Sequence, residues 1–210
     1  MKLFHMQVSP NARRVRIFLA EKQISLEMEE CLDRQRMCLK DEFVTLYPFR
    51  LVPMLQLDDG TQIGESTAIC RYLEELYPEP NLFGRDPFEK AMIEMWQQRA
   101  NSDGELGAEE VFRNSFAPFA ARGLAGSADP IPQIPALVER GKGRLARFFA
   151  MLNEQLQKHL FVAGDRFSMA DITALCAIDF AKAGGTALPD ATTSLQRWYE
   201  VVAARSSAAA

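Results

Sequence analysis

Leu51-Val52-Pro53-Met54-Leu55-Gln56-Leu57, with Glu65-Ser66-Thr67-Ala68-Ile69 shortly after it, is the stretch on which the fold turns. Pro53 has apolar neighbours on both sides and lies between a helix-like segment and a strand. It has no N–H to donate and would be unusual in a central strand. It is therefore expected to end a buried turn just before a strand over Met54-Leu55-Gln56-Leu57. A cis Val52-Pro53 bond is the natural expectation at such a turn. That bond would leave the backbone groups of Val52 pointing outward, where they can pair with a peptide-like ligand. Glu65-Ser66 then opens a helix whose free amides attract a carboxylate, while the Glu65 carboxylate can accept an ammonium. Together these are fittings for an amino acid joined to a peptide.

Around this stretch, the first third of the chain alternates strand and helix signals. Lys2 to Met6 reads as a short strand, and Ala12, Val15, Phe18 and Leu19 then recur at helical spacing. Leu26 and Met28 alternate with Glu27 and Glu29 as in a half-exposed strand. A short helix over Asp41 to Leu46 and a hairpin over Met54 to Ile63, turning at Asp58-Asp59-Gly60, come next. Ala68, Ile69, Tyr72, Leu73 and Leu76 close the unit with an amphipathic helix. The order β-α-β-α-β-β-α is the thioredoxin-like order. Beyond the Pro-rich Tyr77-Pro78-Glu79-Pro80-Asn81 only helical patterns remain, starting with Met92, Met95 and Trp96 on one face. The expected organisation is an α/β thioredoxin-like domain over 1–78, a linker over 79–87 and an all-α domain over 88–210. Pro118, Pro130, Pro132 and Pro135, with Gly123 and Gly126, place a long loop between two helices of that second domain. Phe167-Ser168-Met169-Ala170-Asp171-Ile172 reads as a helix start in which Ser168 caps, Asp171 reaches back and Phe167 staples onto Ile172.

Composition narrows the function. The 210-residue chain has 24 basic and 28 acidic residues, a net charge of -4, without the basic surplus that phosphate binding leaves, so nucleic acid is not an expected partner. Its 48% hydrophobic content is ample for packed cores in one large or two small domains. Cys31, Cys38, Cys70 and Cys176 lack zinc-ligand spacing and any Cys-x-x-Cys pair, and His5 and His159 cannot complete a usual site, so no metal is expected. Unpaired thiols suit a reducing cytosol, and Met1-Lys2-Leu3-Phe4-His5 is followed too soon by Arg13, Arg14 and Arg16 to read as a secretory signal. No apolar run reaches membrane-spanning length, and a cytoplasmic protein with no membrane partner is expected.

Ser9 precedes Pro10, a residue type favoured at the first helical position, and so stands where the N-cap belongs. In a thioredoxin-like fold this point lies between the first strand and the first helix, at the edge facing the Pro53 turn. A hydroxyl there can donate to a ligand sulfur. A thiol of pKa about 8.5 is commonly lowered toward roughly 6.5 to 7 by such a donor at a helix N-terminus. Two units correspond to about 2.7 kcal/mol in favour of the thiolate. Ser9 thus reads both as a cap and as a donor.

With Ser9-Pro10-Asn11-Ala12-Arg13-Arg14-Val15-Arg16, Leu51-Val52-Pro53-Met54, Glu65-Ser66-Thr67-Ala68-Ile69 and Ser168-Met169-Ala170-Asp171 standing in this order, the chain resembles the cytosolic glutathione S-transferase family over nearly its whole length, as a serine-type bacterial member. The resemblance implies glutathione as co-substrate. On it, Val52 matches the residue that pairs with the backbone of glutathione's cysteine, Pro53 the cis-proline, and Glu65 and Ser66 the γ-glutamyl site. Arg50 falls at the glycine end, with Lys40 as a second candidate for that carboxylate. Ser9 is implied as the catalytic residue. Asn11 is its rival, because some bacterial relatives place asparagine or threonine around the sulfur; it reads equally as a polar first-turn residue. The first tyrosine, Tyr47, comes too late to be the tyrosine activator of other classes, and no cysteine occupies positions 8 to 12. The Ser-Ser-Cys signature of the isomerase class is replaced by Ser9-Pro10-Asn11.

The activity so implied is conjugation of the glutathione thiolate to a small apolar electrophile held by the helical domain, in a two-fold homodimer. A glutathione-dependent disulfide reductase or peroxidase is an alternative, as is a catalytically silent binding or regulatory protein on the same fold. Ser9 together with Glu65-Ser66 argues against silence, since a scaffold needs neither. Arg99 and Asp103, four apart, read as a helix-surface pair or as cleft residues, and Phe112 and Phe116 as core or as electrophile pocket.

Overall fold

Leu3 and Phe4 are neighbours on one strand, point to opposite faces, and are both buried. That is possible because their strand is an inner one covered on both sides. The computed structural model describes residues 1–33 and 38–210, and the Cys38 side chain lies outside what is described. The chain forms two compact units, Met1–Pro80 with Leu124–Pro130 and Ala210, and Asn81–Gly123 with Ile131–Ala209.

The first unit runs β1 (Lys2–His5), α1 (Pro10–Lys22), β2 (Glu27–Glu30), β3 (Leu32–Asp33), β4 (Cys38–Leu39), α2 (Asp41–Leu46), β5 (Met54–Gln56), β6 (Gln62–Ile63) and α3 (Ser66–Leu76). Its sheet has the order β2-β1-β5-β6. β1 is parallel to β2, with Leu3 opposite Met28, and antiparallel to β5, with Leu3 opposite Leu55. This is the mixed sheet of the expected thioredoxin-like order. β3 and β4 add a two-stranded antiparallel ribbon that two-residue strands are too short to signal. Gly60, at φ 88°, makes the turn from β5 to β6.

α1 begins at an extended Ser9 with Pro10 in its first turn and stops where Gln23 enters the left-handed region. It packs on α3, and buries Arg14, Arg16 and Lys22 as well as Val15, Phe18 and Leu19. The Lys22 ammonium stands 2.5 Å from the Glu74 carboxylate and donates to the Tyr77 carbonyl at 2.7 Å, tying the ends of the two helices. The buried stripe of α3 is therefore Ile69, Cys70, Leu73 and Glu74, whereas Leu76 is 49% exposed and Ala68 is also exposed. On the other side Phe4, Cys31, Phe43, Tyr47 and Met54 form a cluster against which Val52 packs. Leu124–Pro130, within the long proline-bearing connection, belongs to this unit, and a Cβ on Gly126 would lie 3.1 Å from the Phe49 carbonyl.

The second unit contains α4 (Pro87–Arg99), a π-helical turn (Ala100–Glu105), α5 (Leu106–Ser115), a 3-10 turn (Ala117–Phe119), α6 (Pro135–Lys158), α7 (Met169–Ala183), α8 (Thr193–Ala203) and a closing 3-10 turn (Ser206–Ala209). α4 buries Ile93, Trp96 and Gln97, while Met95 is 40% exposed, which shifts the apolar face away from the one expected. α5 and α6 approach closely at Gly107 and Gly141, where a Cβ on Gly141 would meet the Gly107 carbonyl at 2.6 Å. Asp103 pairs with Arg147 and Arg144 of α6, in place of the helix-surface pair with Arg99. α7 carries the capping box: Asp171 accepts from the Ser168 N–H at 2.9 Å and also holds the Val162 N–H and the Trp198 indole, each at 2.9 Å. Burial outweighs those donors and pushes the Asp171 carboxyl up to about 6. Phe167 meets Phe161 edge-on and carries Arg205 above its ring at 4.0 Å.

Candidate functional site

The connection from β1 to α1 is fixed from several directions. The Gln7 N–H donates to the Glu30 carboxylate at 3.0 Å, and the Arg16 guanidinium donates to the Gln7 carbonyl at 3.0 Å and the Met6 carbonyl at 3.4 Å. The Ser9 N–H donates back to the Met6 carbonyl at 3.0 Å. On this platform Ser9 Oγ accepts from the Ala12 N–H at 3.4 Å, so Ser9 is the N-cap of α1. A cap bond uses a lone pair on Oγ and leaves its proton to be donated elsewhere.

Asn11 is bound to the other half of the site. Its Oδ1 accepts from the Ser66 hydroxyl at 3.1 Å, and Ser66 Oγ in turn accepts from the buried Arg14 guanidinium at 2.8 Å. This links the first turn of α1 to the first residue of α3. With Oδ1 turned to Ser66, the amide donors of Asn11 are directed elsewhere. The sequence assigned Arg14 no place in the site, because a buried arginine cannot be told from a surface one by spacing.

Val52 precedes a cis bond to the buried Pro53. The β1–β5 ladder ends at Phe4 opposite Met54, so the backbone of Val52 lies beyond its last pair. Glu65 stands before α3 with φ 58° and ψ 115°, and its side chain makes no cap bond to the helix. A non-glycine residue so placed costs about 1–3 kcal/mol and persists where the surroundings over-determine it. The amides at the start of α3, with the Arg14 cation behind Ser66, give this corner a positive potential suited to a carboxylate.

Arg50 also takes a positive φ, 55°, and its N–H donates to the Tyr47 carbonyl at 3.0 Å. The Lys40 ammonium is held on the Glu30 carbonyl at 2.6 Å. Cys31, Cys70 and Cys176 are buried and form no disulfide, and burial pushes the Cys31 thiol up to about 12. A thiolate is thus disfavoured at Cys31. Among the described residues no group of three or more His, Cys, Asp or Glu could hold a metal ion, and no helix is long and apolar enough to cross a membrane.

In the second unit Phe112 stacks on Phe116 at 5.1 Å between centroids and also meets Phe119 at 5.2 Å and Phe180 at 5.3 Å. Phe116 is 50% exposed, so this aromatic cluster is open to solvent at one end. Phe119 and Phe180 join the two phenylalanines singled out from the sequence.

Comparison with known proteins agrees with this arrangement. Residues 3–81 match the family model described as the glutathione S-transferase N-terminal domain, and residues 116–206 match the C-terminal domain model. Glutathione S-transferase 2 of Saccharomyces cerevisiae is 32% identical over 99% of this chain and 87% of its own length. The crystal structure of Gtt2 from the same yeast superposes with a TM-score of 0.86 at 31% identity, covering 99% of this chain and 98% of that one. A glutathione S-transferase domain-containing protein of Marinobacter aquaeolei gives a TM-score of 0.85 at 34% identity, covering 99% of both chains. A thioredoxin-like sheet unit, a helical unit and relatives this similar over nearly the full length place the chain in the glutathione S-transferase family, whose enzymes use glutathione as co-substrate.

Proposed function

We propose that this protein conjugates the thiolate of glutathione to a small apolar electrophile, with Ser9 as donor to the sulfur. The observation that carries this reading is the geometry of Ser9: its Oγ caps α1 through a lone pair and keeps its proton for a ligand. The N-terminus of α1 adds its partial positive charge, and together these favour thiolate over thiol. Val52 would pair with the cysteinyl backbone of glutathione, the start of α3 at Ser66 with the γ-glutamyl carboxylate, and the Glu65 carboxylate with its ammonium. Arg50 would face the glycine carboxylate, while the bond from Lys40 to the Glu30 carbonyl leaves Arg50 the better placed of the two. Asn11, bound to Ser66, would contribute to the sulfur through its amide nitrogen. Catalysis then consists of ionising the thiol and holding it in place.

The Phe112, Phe116, Phe119 and Phe180 cluster supports an apolar and aromatic second substrate for the helical unit. Phe49 lies 5.2 Å from Tyr47 with its ring tilted by 60°, yet is 69% exposed, which supports burial of that ring by a second copy in a homodimer. The free thiols suit a reducing, cytoplasmic setting. The test is to compare turnover of an aromatic halide, a mixed disulfide and an organic peroxide in the presence of glutathione. Turnover of the halide alone or in clear excess supports conjugation. Preference for the disulfide or peroxide would replace it with reduction, and inactivity on all three with a binding role.

A further inference from the structure

Tyr47 has no part in the scheme above, yet it touches the segments that carry both ends of the site. It ends α2, buried in the cluster with Phe4, Phe43 and Met54, its ring 6.0 Å from Phe43 and 5.2 Å from Phe49. Its carbonyl accepts the Arg50 N–H, closing the turn in which Arg50 takes its positive φ. Its side chain reaches the connection between β6 and α3. A Cβ built on Gly64 would lie 2.0 Å from the phenolic oxygen and 3.2 Å from the ring carbon that bears it. Glycine at 64 is thus required by the seat of the phenol. The next residue is Glu65, with its φ of 58°. Gln62 ties β6 to the end of α2 by donating to the Leu46 carbonyl at 3.1 Å. Burial first, and then the Glu65 charge, raise the Tyr47 phenol above its ordinary value of 10.0, so it stays neutral.

We infer that Tyr47 is a positioning residue for glutathione: its phenol, seated against Gly64, keeps the Glu65 backbone in the conformation that presents the carboxylate to the γ-glutamyl ammonium, while its carbonyl sets Arg50 at the opposite end. This rests on the proposed role of Glu65. A residue at positive φ stays there only while its neighbours leave it no alternative. Removing the phenolic oxygen opens space beside Gly64, lets the segment relax, and leaves ligand binding to supply the ordering.

The test is calorimetric titration of glutathione into the full-length protein, Tyr47→Phe, Glu65→Gln and the double variant, with thermal melting of each. Tyr47→Phe keeps the ring and its contacts with Phe43 and Phe49. It is expected to weaken glutathione binding by about fivefold to tenfold on the wild-type background and by less than about twofold on the Glu65→Gln background. Turnover at saturating glutathione is expected to stay within about twofold of wild type. Gly64→Ala, which displaces the phenol without altering α2, is expected to reproduce the loss. Unchanged affinity in Tyr47→Phe, or an equal loss on both backgrounds accompanied by a lower melting temperature, overturns the positioning role while leaving Glu65 in place. Equal affinity of Glu65→Gln and wild type overturns the role of Glu65 itself and this inference with it.

Discussion

The Ser66 hydroxyl donates to Asn11 Oδ1 across 3.1 Å, so the residue proposed to meet the γ-glutamyl carboxylate spends its one proton on the residue proposed to lie near the sulfur. When a carboxylate arrives, that proton can turn to it, and Asn11 loses its tether. On the proposed assignment, binding at one end of glutathione is in this way coupled to a side chain at the other.

Ser66→Ala is accordingly expected to weaken glutathione binding by roughly 1.5 to 3 kcal/mol, the range for a hydrogen bond to a charged group. Asn11→Ala should cost less than Ser66→Ala, because the lost contact to the sulfur is offset by freeing the Ser66 proton for the ligand. Calorimetric titration of both variants checks this, and equal losses in the two would mean that Ser66 and Asn11 do not divide the ligand between them.

Ser9→Ala removes the cap of α1 and is expected to cost about 1 kcal/mol of stability, measured by denaturant unfolding. If the hydroxyl also donates to the glutathione sulfur, the pKa of the bound thiol rises by about one unit or more and turnover near neutral pH falls, with little change in affinity. Thiolate absorbance titrated against pH in wild type and variant reads this directly. Superimposable curves would leave Ser9 with the cap alone and pass the sulfur to Asn11.

Lys22 and Glu74 are both buried and 2.5 Å apart. Glu74→Ala strands the ammonium and is expected to destabilise the protein by roughly 3–5 kcal/mol. Replacing both partners with leucine should recover most of that, since no charge is then left without its counterpart. Urea unfolding of the single and double variants decides the matter; a loss below about 1 kcal/mol in Glu74→Ala would show that the pair does not hold the helix ends together.

Stability should depend on pH through His5, whose folded value is lowered from 6.5, first by burial and then by the Arg16 charge. A lowered histidine binds more protons unfolded than folded, so its stabilising share is complete above 6.5 and is lost as pH falls through the folded value. Asp171 runs the opposite way: raised from 3.8 to about 6, it takes up a proton in the folded state first, so its share grows as pH falls between those values. Comparing wild type with His5→Gln from pH 7.5 downward isolates the histidine. The variant should lose less stability on acidification, and parallel curves would show that His5 keeps its proton affinity on folding.

Local sequence was enough for the longer elements, though not for the β3–β4 ribbon, and for the two loops proposed to meet glutathione. Ser9-Pro10 announces a capped helix because the cap and the fixed φ of proline act within one turn, and Pro53 announces a turn before the strand because proline has no N–H to give a ladder. The Ser168–Asp171 box is local for the same reason. What the sequence could not decide depends on pairs far apart along the chain. Arg14 and Ser66 are separated by 52 residues, Lys22 and Tyr77 by 55, and no periodicity reports that a charged residue has found a partner in the interior. Met95 and Leu76 read as core and are partly exposed, because a helix buries whichever stripe its neighbours cover. Composition and spacing thus determined the longer helices, the strands of the main sheet and where a peptide could lie. Only the packing of α1 on α3, and of Tyr47 against Gly64, decided which distant side chains come together around it.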